Sequence, residues 1–133
     1  MSQKGNFQFD LDLKLGKGFE SQLYNILSGE NGTQIEVKAD RFSSDTNNIA
    51  IEFKCRGKLS GISTSEAEWY AFVLGGDLYN DETIVLIKTE RLKRIVKKVY
   101  NKYKKITHGG DGNFSEMILI DVYDLLSKNL KNG

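Results

Sequence analysis

The amino-acid sequence predicts an α/β fold in which a mixed central β-sheet is flanked by helices. Short runs in which apolar and polar residues alternate, as in strands, are interspersed with segments whose apolar residues recur every three or four positions, as in helices. Glycine-containing stretches separate these segments. Strands and helices that take turns along a chain are typical of α/β domains. The 133 residues are enough for one such domain, so we expect a single domain over residues 1–133.

The first part of the chain is predicted to form a strand and then a helix. Phe7–Leu15 alternates apolar and polar residues, which is the period of a strand, and a Gly-Lys-Gly sequence ends it. Phe19–Leu27 carries apolar residues at helical spacing and stops at Gly29, a residue suited to end a helix. Glu20 lies in the first turn of this predicted helix, where the helix dipole favours a carboxylate in any protein.

Two short strands are predicted next, on either side of a polar loop. Ile35–Asp40 and Ile49–Cys55 each alternate apolar and polar residues, so they form a hairpin or two adjacent strands. Side chains two positions apart on a strand share a face, so we expect Glu52 and Lys54 to stand together. If the strands pair, Asp40 approaches Glu52. Two carboxylates beside one ammonium group suit Mg²⁺ or Mn²⁺ and an attacking water molecule.

A second acid/lysine pair lies on the first of these strands. Glu36 and Lys38 have the same spacing as Glu52 and Lys54, and they form a polar row with Asp40. Upstream acids would have to reach this pair from across a helix, so we prefer Glu52 and Lys54 as the site. Charge pairing on a solvated strand face accounts for either pair without any catalytic role.

These residues resemble the metal site of the PD-(D/E)XK nuclease superfamily, in which an Asp is followed by Glu-x-Lys on the next strand. Here Asp40 precedes Glu52-Phe53-Lys54, with an acid upstream in the first helix and the sequence SGIST downstream, which is similar to small phage endonucleases and Holliday-junction resolvases. The resemblance covers about Gly16 to Leu74. It departs from the family pattern because no proline precedes Asp40.

The resemblance implies a metal-dependent DNA endonuclease on a restriction-endonuclease-like core. Asp40 and Glu52 would hold Mg²⁺ or Mn²⁺, with a backbone carbonyl beside the glutamate as a further ligand, and Lys54 would orient the attacking water. It also implies that Glu20 and Thr64 lie beside the active site. Because the resolvases act as dimers, we expect a homodimer that acts on branched or duplex DNA.

The segment after these strands is predicted to be a loop and then a helix. Residues 56–61 form a basic glycine loop in which Lys58 can contact a phosphate, although such loops are also ordinary turns. Ser63 and Glu66 are spaced as a capping box. The predicted helix therefore begins within residues 63–66 and continues through residues 66–74, and its N-terminus, with Ser63 and Thr64, is suited to bind a phosphate.

A strand and a strongly basic helix follow. Thr83–Lys88 is an apolar run suited to an interior strand, and Thr89 is expected to cap a helix that reaches Lys105. One face of this helix is apolar and the other carries eight cations: Arg91, Lys93, Arg94, Lys97, Lys98, Lys102, Lys104 and Lys105. A polyanion would relieve their mutual repulsion, so we expect Lys93, Lys97 and Lys98 to contact nucleic acid. A solvated surface is the alternative.

The last part of the chain is predicted to contain a loop, a strand and a short helix. Thr107–Asn113 is the loop, and its His108 is either an exposed residue or an acid/base group. Phe114–Ile120 is the strand, and Asp121 caps the helix.

Composition excludes several classes of protein. Cys55 is the single cysteine, so no internal disulfide can form, and one Cys with one His cannot build a zinc cluster. No apolar run approaches the ~20 residues of a membrane span, and the N-terminus lacks the apolar core of a signal peptide. We therefore expect a cytoplasmic protein, in the host cytoplasm if phage-encoded. A non-cutting nucleic-acid-binding protein on the same fold, or an RNA-processing or end-processing nuclease, remain the alternatives.

Overall fold

The described residues contain three helices and seven strands, which makes this a mixed α/β protein, as predicted. The computed structural model describes residues 7–29, 32–40, 47–74 and 83–126, with the backbone alone for residues 7–15 and 40. The chain divides into two compact units, Met1–Gln34 and Ile35–Gly133.

Helix α1 spans Phe7–Ser28 and lies in the first unit. The predicted strand over Phe7–Leu15 is therefore wrong, because this segment is the first part of a single helix. An apolar residue recurs every four positions through both predicted segments, at Phe7, Leu11, Leu15, Phe19, Leu23 and Leu27. A spacing of four satisfies a helix as well as a strand. Glu20 consequently lies in the helix interior and not in its first turn. The predicted end is confirmed, since Gly29 follows Ser28 with φ +68°.

The second unit contains the strands and the remaining helices of the described residues. The strands are β1 (Ile35–Asp40), β2 (Asn48–Cys55), β3 (Lys58–Leu59), β4 (Trp69–Leu74), β5 (Thr83–Lys88), β6 (Thr107–Gly109) and β7 (Ser115–Asp121). The helices are α2 (Thr89–Tyr103) and α3 (Val122–Leu125), with 3₁₀ turns at Gly61–Ser63 and Asp111–Asn113.

The strands form two sheets and not the single central sheet that we expected. One sheet has the order β1-β4-β5, with β1 parallel and β5 antiparallel to β4. The other is antiparallel throughout, in the order β3-β2-β7-β6. The prediction that β1 and β2 are neighbours is therefore wrong. Every residue of β1 pairs with β4, from Ile35 opposite Trp69 to Asp40 opposite Leu74.

Strand β4 explains why β1 pairs elsewhere. Its sequence, WYAFVL, was predicted as part of a helix over residues 66–74, but aromatic and β-branched residues favour a strand. A strand this apolar is suited to the centre of a sheet, where it is flanked on both sides. Tyr70, Phe72 and Leu74 are buried on one of its faces.

One hydrophobic core joins the two sheets and α2. It contains residues from β2, β4, β5, β7, helices α2 and α3, and the 3₁₀ turn at Gly61–Ser63: Ile49, Ile51, Ile62, Tyr70, Phe72, Leu74, Ile87, Leu92, Ile95, Ile118, Ile120 and Leu125. Helix α2 places Leu92 and Ile95 in this core, so its opposite side faces solvent.

The helix ends confirm one predicted cap and correct another. The Asp121 carboxylate accepts a 2.8 Å hydrogen bond from the Tyr123 N–H, as expected of a cap on α3. Thr89 does not cap α2: Lys88 occupies the N-cap position and makes no capping hydrogen bond with its side chain, and the buried Thr89 hydroxyl has no hydrogen-bond partner among the described atoms. Helix α2 ends at Tyr103, and Lys104 follows in the left-handed conformation.

Candidate functional site

A β-bulge interrupts β2 at Phe53, between the two residues of the predicted site. Glu52 pairs with Met117 on β7, whereas Lys54 pairs with Glu116, which is the neighbour of Met117. Phe53 is thus the extra residue of the bulge and has no pairing partner on β7. Paired residues share a face of the sheet, and neighbours on β7 point to opposite faces. Glu52 and Lys54 therefore lie on opposite faces, and the prediction that they stand together is wrong.

The hydrogen bonds of Glu52 agree with this geometry. The Ser115 hydroxyl donates a hydrogen bond of 2.6 Å to Glu52 Oε1 and lies 3.8 Å from Cys55 Sγ. Glu52 and Cys55 therefore share a face, although an unbroken strand would separate them. Ser115 is buried and Glu52 is half-buried.

The 3₁₀ turn at Gly61–Ser63 and the residue before it are hydrogen-bonded to the bulge. The Phe53 carbonyl accepts hydrogen bonds from the Ser60 N–H, at 3.0 Å, and from the Ser63 hydroxyl, at 2.8 Å. Both of its lone pairs are used, so it does not offer the metal ligand that the resemblance implies beside Glu52. Gly61, at φ +53°, packs so closely that a Cβ there would overlap the Glu52 carbonyl oxygen.

The bulge moves Lys54 into a different polar row. Lys54 on β2, Glu116 on β7 and His108 on β6 are paired in register across three strands. An ammonium group, a carboxylate and an imidazole thus share one face. Sequence reasoning did not single out Glu116, because its role depends on the register between β2 and β7, which no local pattern in the sequence reports.

The polar row of β1 stays together. Pairing with β4 is regular along the whole strand, so Glu36 and Lys38 share a face, and Asp40 occupies the next alternate position of the backbone. Lys38 Nζ lies 3.0 Å from Glu36 Oε1, and the two side chains are 54% and 43% exposed. Glu36 and Lys38 pair with Tyr70 and Phe72 of β4, so they lie on the face of the sheet that carries the core. Of the two acid/lysine pairs in the sequence, Glu36 and Lys38 form the pair that its strand keeps on one face.

The remaining predicted site residues are placed as follows. Asp40 and Glu52 lie on strands of different sheets. Thr64 is exposed and follows the 3₁₀ turn, so the expected helix N-terminus with its phosphate site is absent there, and Ser63 does not cap a helix. Glu20 is an exposed residue of the first unit, and Lys58 is exposed at the start of β3. Among the described side chains, no three His, Cys, Asp or Glu residues are grouped closely enough to hold a metal ion.

Helix α2 presents a basic surface. Arg94, Lys97, Lys102, Lys104 and Lys105 are exposed, in the helix or just after it, and Lys93 is half-buried. Within the described residues, Lys93, Arg94 and Lys97 have no carboxylate within 4.0 Å. Two further cations contact rings, since Lys102 Nζ lies 5.2 Å from the ring centre of Tyr103 and Lys104 Nζ lies 5.1 Å from that of Tyr100. Unpaired cations on one side of a helix are suited to contact phosphates.

Comparisons with known proteins do not bear on the chemistry of these residues. Comparison of the chain with protein-family models, curated proteins and solved structures gave no match. None of the described helices combines the length and the apolar character needed to cross a membrane.

Proposed function

We propose that this protein is a divalent-metal-dependent endonuclease that hydrolyses phosphodiester bonds in DNA. The observation that carries the proposal is the contact of Glu36 and Lys38 on one face of β1, with Asp40 at the next alternate position of the backbone. Two carboxylates offer the oxygen ligands that Mg²⁺ and Mn²⁺ prefer. A metal ion bound there would polarise the scissile phosphate and activate water. Lys38 would offset the negative charge that develops on the phosphate.

Two acid/lysine sets compete for this role, and Asp40 belongs to both. The set that the resemblance indicates consists of Asp40, Glu52 and Lys54, and the order of these residues along the chain supports a PD-(D/E)XK nuclease. Its members lie in two sheets and on two faces, which differs from the strand pairing that we expected. Glu36 and Lys38 need no rearrangement to stand beside the position of Asp40. We therefore favour the β1 set.

Helix α2 supports the choice of a nucleic acid as the substrate. Its exposed cations match the charge of a phosphate backbone, whereas the net charge of the whole chain is only +1. We propose that Lys93, Lys97 and Lys98, with Lys58 at the start of β3, contact phosphates. A monomer with one site cuts one strand at a time, so resolution of a branched substrate needs two copies, and we propose a homodimer.

The proposal is tested with labelled DNA and RNA substrates. A four-way junction, a flap, a nicked duplex and a linear duplex are each incubated with Mg²⁺, with Mn²⁺ and with a chelator. We expect cleavage of branched DNA that depends on the metal and stops with the chelator. Cleavage that persists in the chelator, or no cleavage of any substrate, would contradict the proposal.

A second candidate is a nucleic-acid-binding protein that does not cut. The bulge at Phe53 favours it, because it separates Glu52 from Lys54 and so breaks one of the two acid/lysine sets. Metal-independent binding of nucleic acid, with every substrate left intact, would select this candidate.

A further inference from the structure

An apolar pocket lies between α2 and the turn that follows β2. Its volume is about 460 Å³, within the range of roughly 300–1,000 Å³ typical of small-molecule sites. The buried side chains of Ile62 and Ile118 line it, together with the aromatic rings of Phe53 and Tyr100. Its interior is therefore suited to a flat, apolar group.

Two lysines give this apolar pocket a positive charge. Lys93 and Lys97 both line it and lie one helical turn apart, so they stand on the same side of α2. Like charges at this spacing repel each other, and an anion between them would relieve the repulsion. The occupant that fits both features has a flat ring and carries an anionic group.

An unpaired nucleotide has this chemistry. Its base has a face that stacks on aromatic side chains, and the adjoining phosphate binds cations. In a duplex the same base is paired and stacked, and it reaches a pocket only when it leaves the helix, at a cost of a few kcal/mol. A pocket of this kind therefore distinguishes unpaired from paired nucleotides.

We propose that this pocket binds one unpaired nucleobase while Lys93 and Lys97 hold an adjacent phosphate. The inference rests on the proposed function, since it names the substrate class as nucleic acid with unpaired nucleotides, in single strands or at branch points. It concerns recognition and not hydrolysis. Tyr100 is the residue that tests it best, because it is 37% exposed and lines the pocket.

The experiment measures binding in the presence of a chelator, so that cleavage plays no part. The probes are a fluorescein-labelled oligothymidylate, an abasic oligomer with the same number of phosphates, and a duplex of the same length. The variants are Tyr100→Ala, Tyr100→Phe and the matched control Tyr103→Ala. Tyr103 is also an exposed tyrosine of α2 but lies outside this pocket. Alanine is favourable in a helix, so both truncations should keep the fold.

We expect Tyr100→Ala to weaken binding of oligothymidylate about tenfold, because it removes the stacking of one base on an aromatic ring. Tyr100→Phe should bind like the wild type, and Tyr103→Ala should bind normally. The abasic oligomer should bind more weakly than oligothymidylate and be insensitive to Tyr100→Ala.

Two results would overturn the inference and leave the proposed function standing: equal affinity for oligothymidylate and the abasic oligomer, or equal effects of the two alanine substitutions. Binding of none of the nucleic acids by the wild type would overturn both. Displacement of a fluorescent apolar anion from the pocket by laurate, but not by oligothymidylate, would assign the pocket to an amphiphile and also overturn the inference.

Discussion

The Ser115 hydroxyl donates a 2.6 Å hydrogen bond to Glu52 Oε1, across the pair of strands β7 and β2. The two residues share a face because Glu52 pairs with Met117, two positions from Ser115 on β7, and the bulge at Phe53 brings Cys55 to the same face. Glu52 therefore has a structural partner, whether or not it also takes part in chemistry.

Replacement of Ser115 by Ala should lower the free energy of unfolding by about 1–2 kcal/mol, because it leaves a half-buried carboxylate oxygen without its donor. Glu52→Gln should cost less, since the amide oxygen can still accept the bond. Urea denaturation of both variants measures the difference. Unchanged stability of Ser115→Ala would show that this hydrogen bond does not hold Glu52 in place.

Gly61 should tolerate no side chain. Its φ of +53° disfavours any other residue, and a Cβ would overlap the Glu52 carbonyl oxygen, so Gly61→Ala should lose more than about 2 kcal/mol of stability. Gly57→Ala is the matched control: Gly57 also has a positive φ, +79°, but open space around its Cβ position. It should lose only about 1 kcal/mol. Equal losses in urea denaturation would mean that the turn does not pack on Glu52 as described.

The sequence predicted some elements of the fold because their signals are local. The apolar run Thr83–Lys88 is β5, although it lies at the end of the order β1-β4-β5 and not in the interior as expected. The spacing of Leu92 and Ile95 is that of α2, and the cap at Asp121 is present. Each of these depends on neighbours within a few residues. The helix over residues 7–15 was missed because its apolar spacing fits two structures, and tertiary context decides between them.

The candidate site was only partly predictable, because it depends on which strands pair. Glu52 and Lys54 satisfy the spacing of a shared face, yet one inserted residue on β2 separates them, and the sequence carries no signal for that insertion. The spacing of Glu36 and Lys38 did predict that they share a face, where their charged atoms lie 3.0 Å apart, since β1 is regular. Asp40 was expected beside β2, but β4 offers β1 a more apolar neighbour.

The basic surface of α2 should set affinity and not sequence preference, because phosphate contacts carry no base information. Replacing Lys93, Lys97 and Lys98 together by Ala should weaken binding to all substrates. The plot of log affinity against log salt has a negative slope. If each lysine contacts one phosphate, the magnitude of this slope should decrease by roughly 2–3 units. Lys17→Ala, on α1, serves as the control and should leave the slope unchanged. If the magnitude of the slope does not decrease in the triple variant, the cations of α2 are only a solvated surface.

The active form should be a homodimer. Sedimentation of the Asp40→Asn protein, alone and with a four-way junction, measures this without cleavage of the substrate. We expect two chains per junction and a preference for the junction over linear duplex. A monomer in both conditions, with no such preference, would favour a nicking or end-processing nuclease.

The most direct test compares cleavage by variants of the two acid/lysine sets. Branched DNA is incubated with Mg²⁺ and with wild type, Asp40→Asn, Glu36→Gln, Lys38→Ala, Glu52→Gln or Lys54→Ala, after circular dichroism has shown that each variant is folded. We expect the cleavage rate of Asp40→Asn, Glu36→Gln and Lys38→Ala to be at least about 100-fold lower than that of the wild type. Losses of this size are expected when a group that activates water or stabilises charge is removed. Glu52→Gln and Lys54→Ala should retain most of the activity. Full activity in Asp40→Asn, or a loss confined to Glu52→Gln and Lys54→Ala, would contradict this expectation.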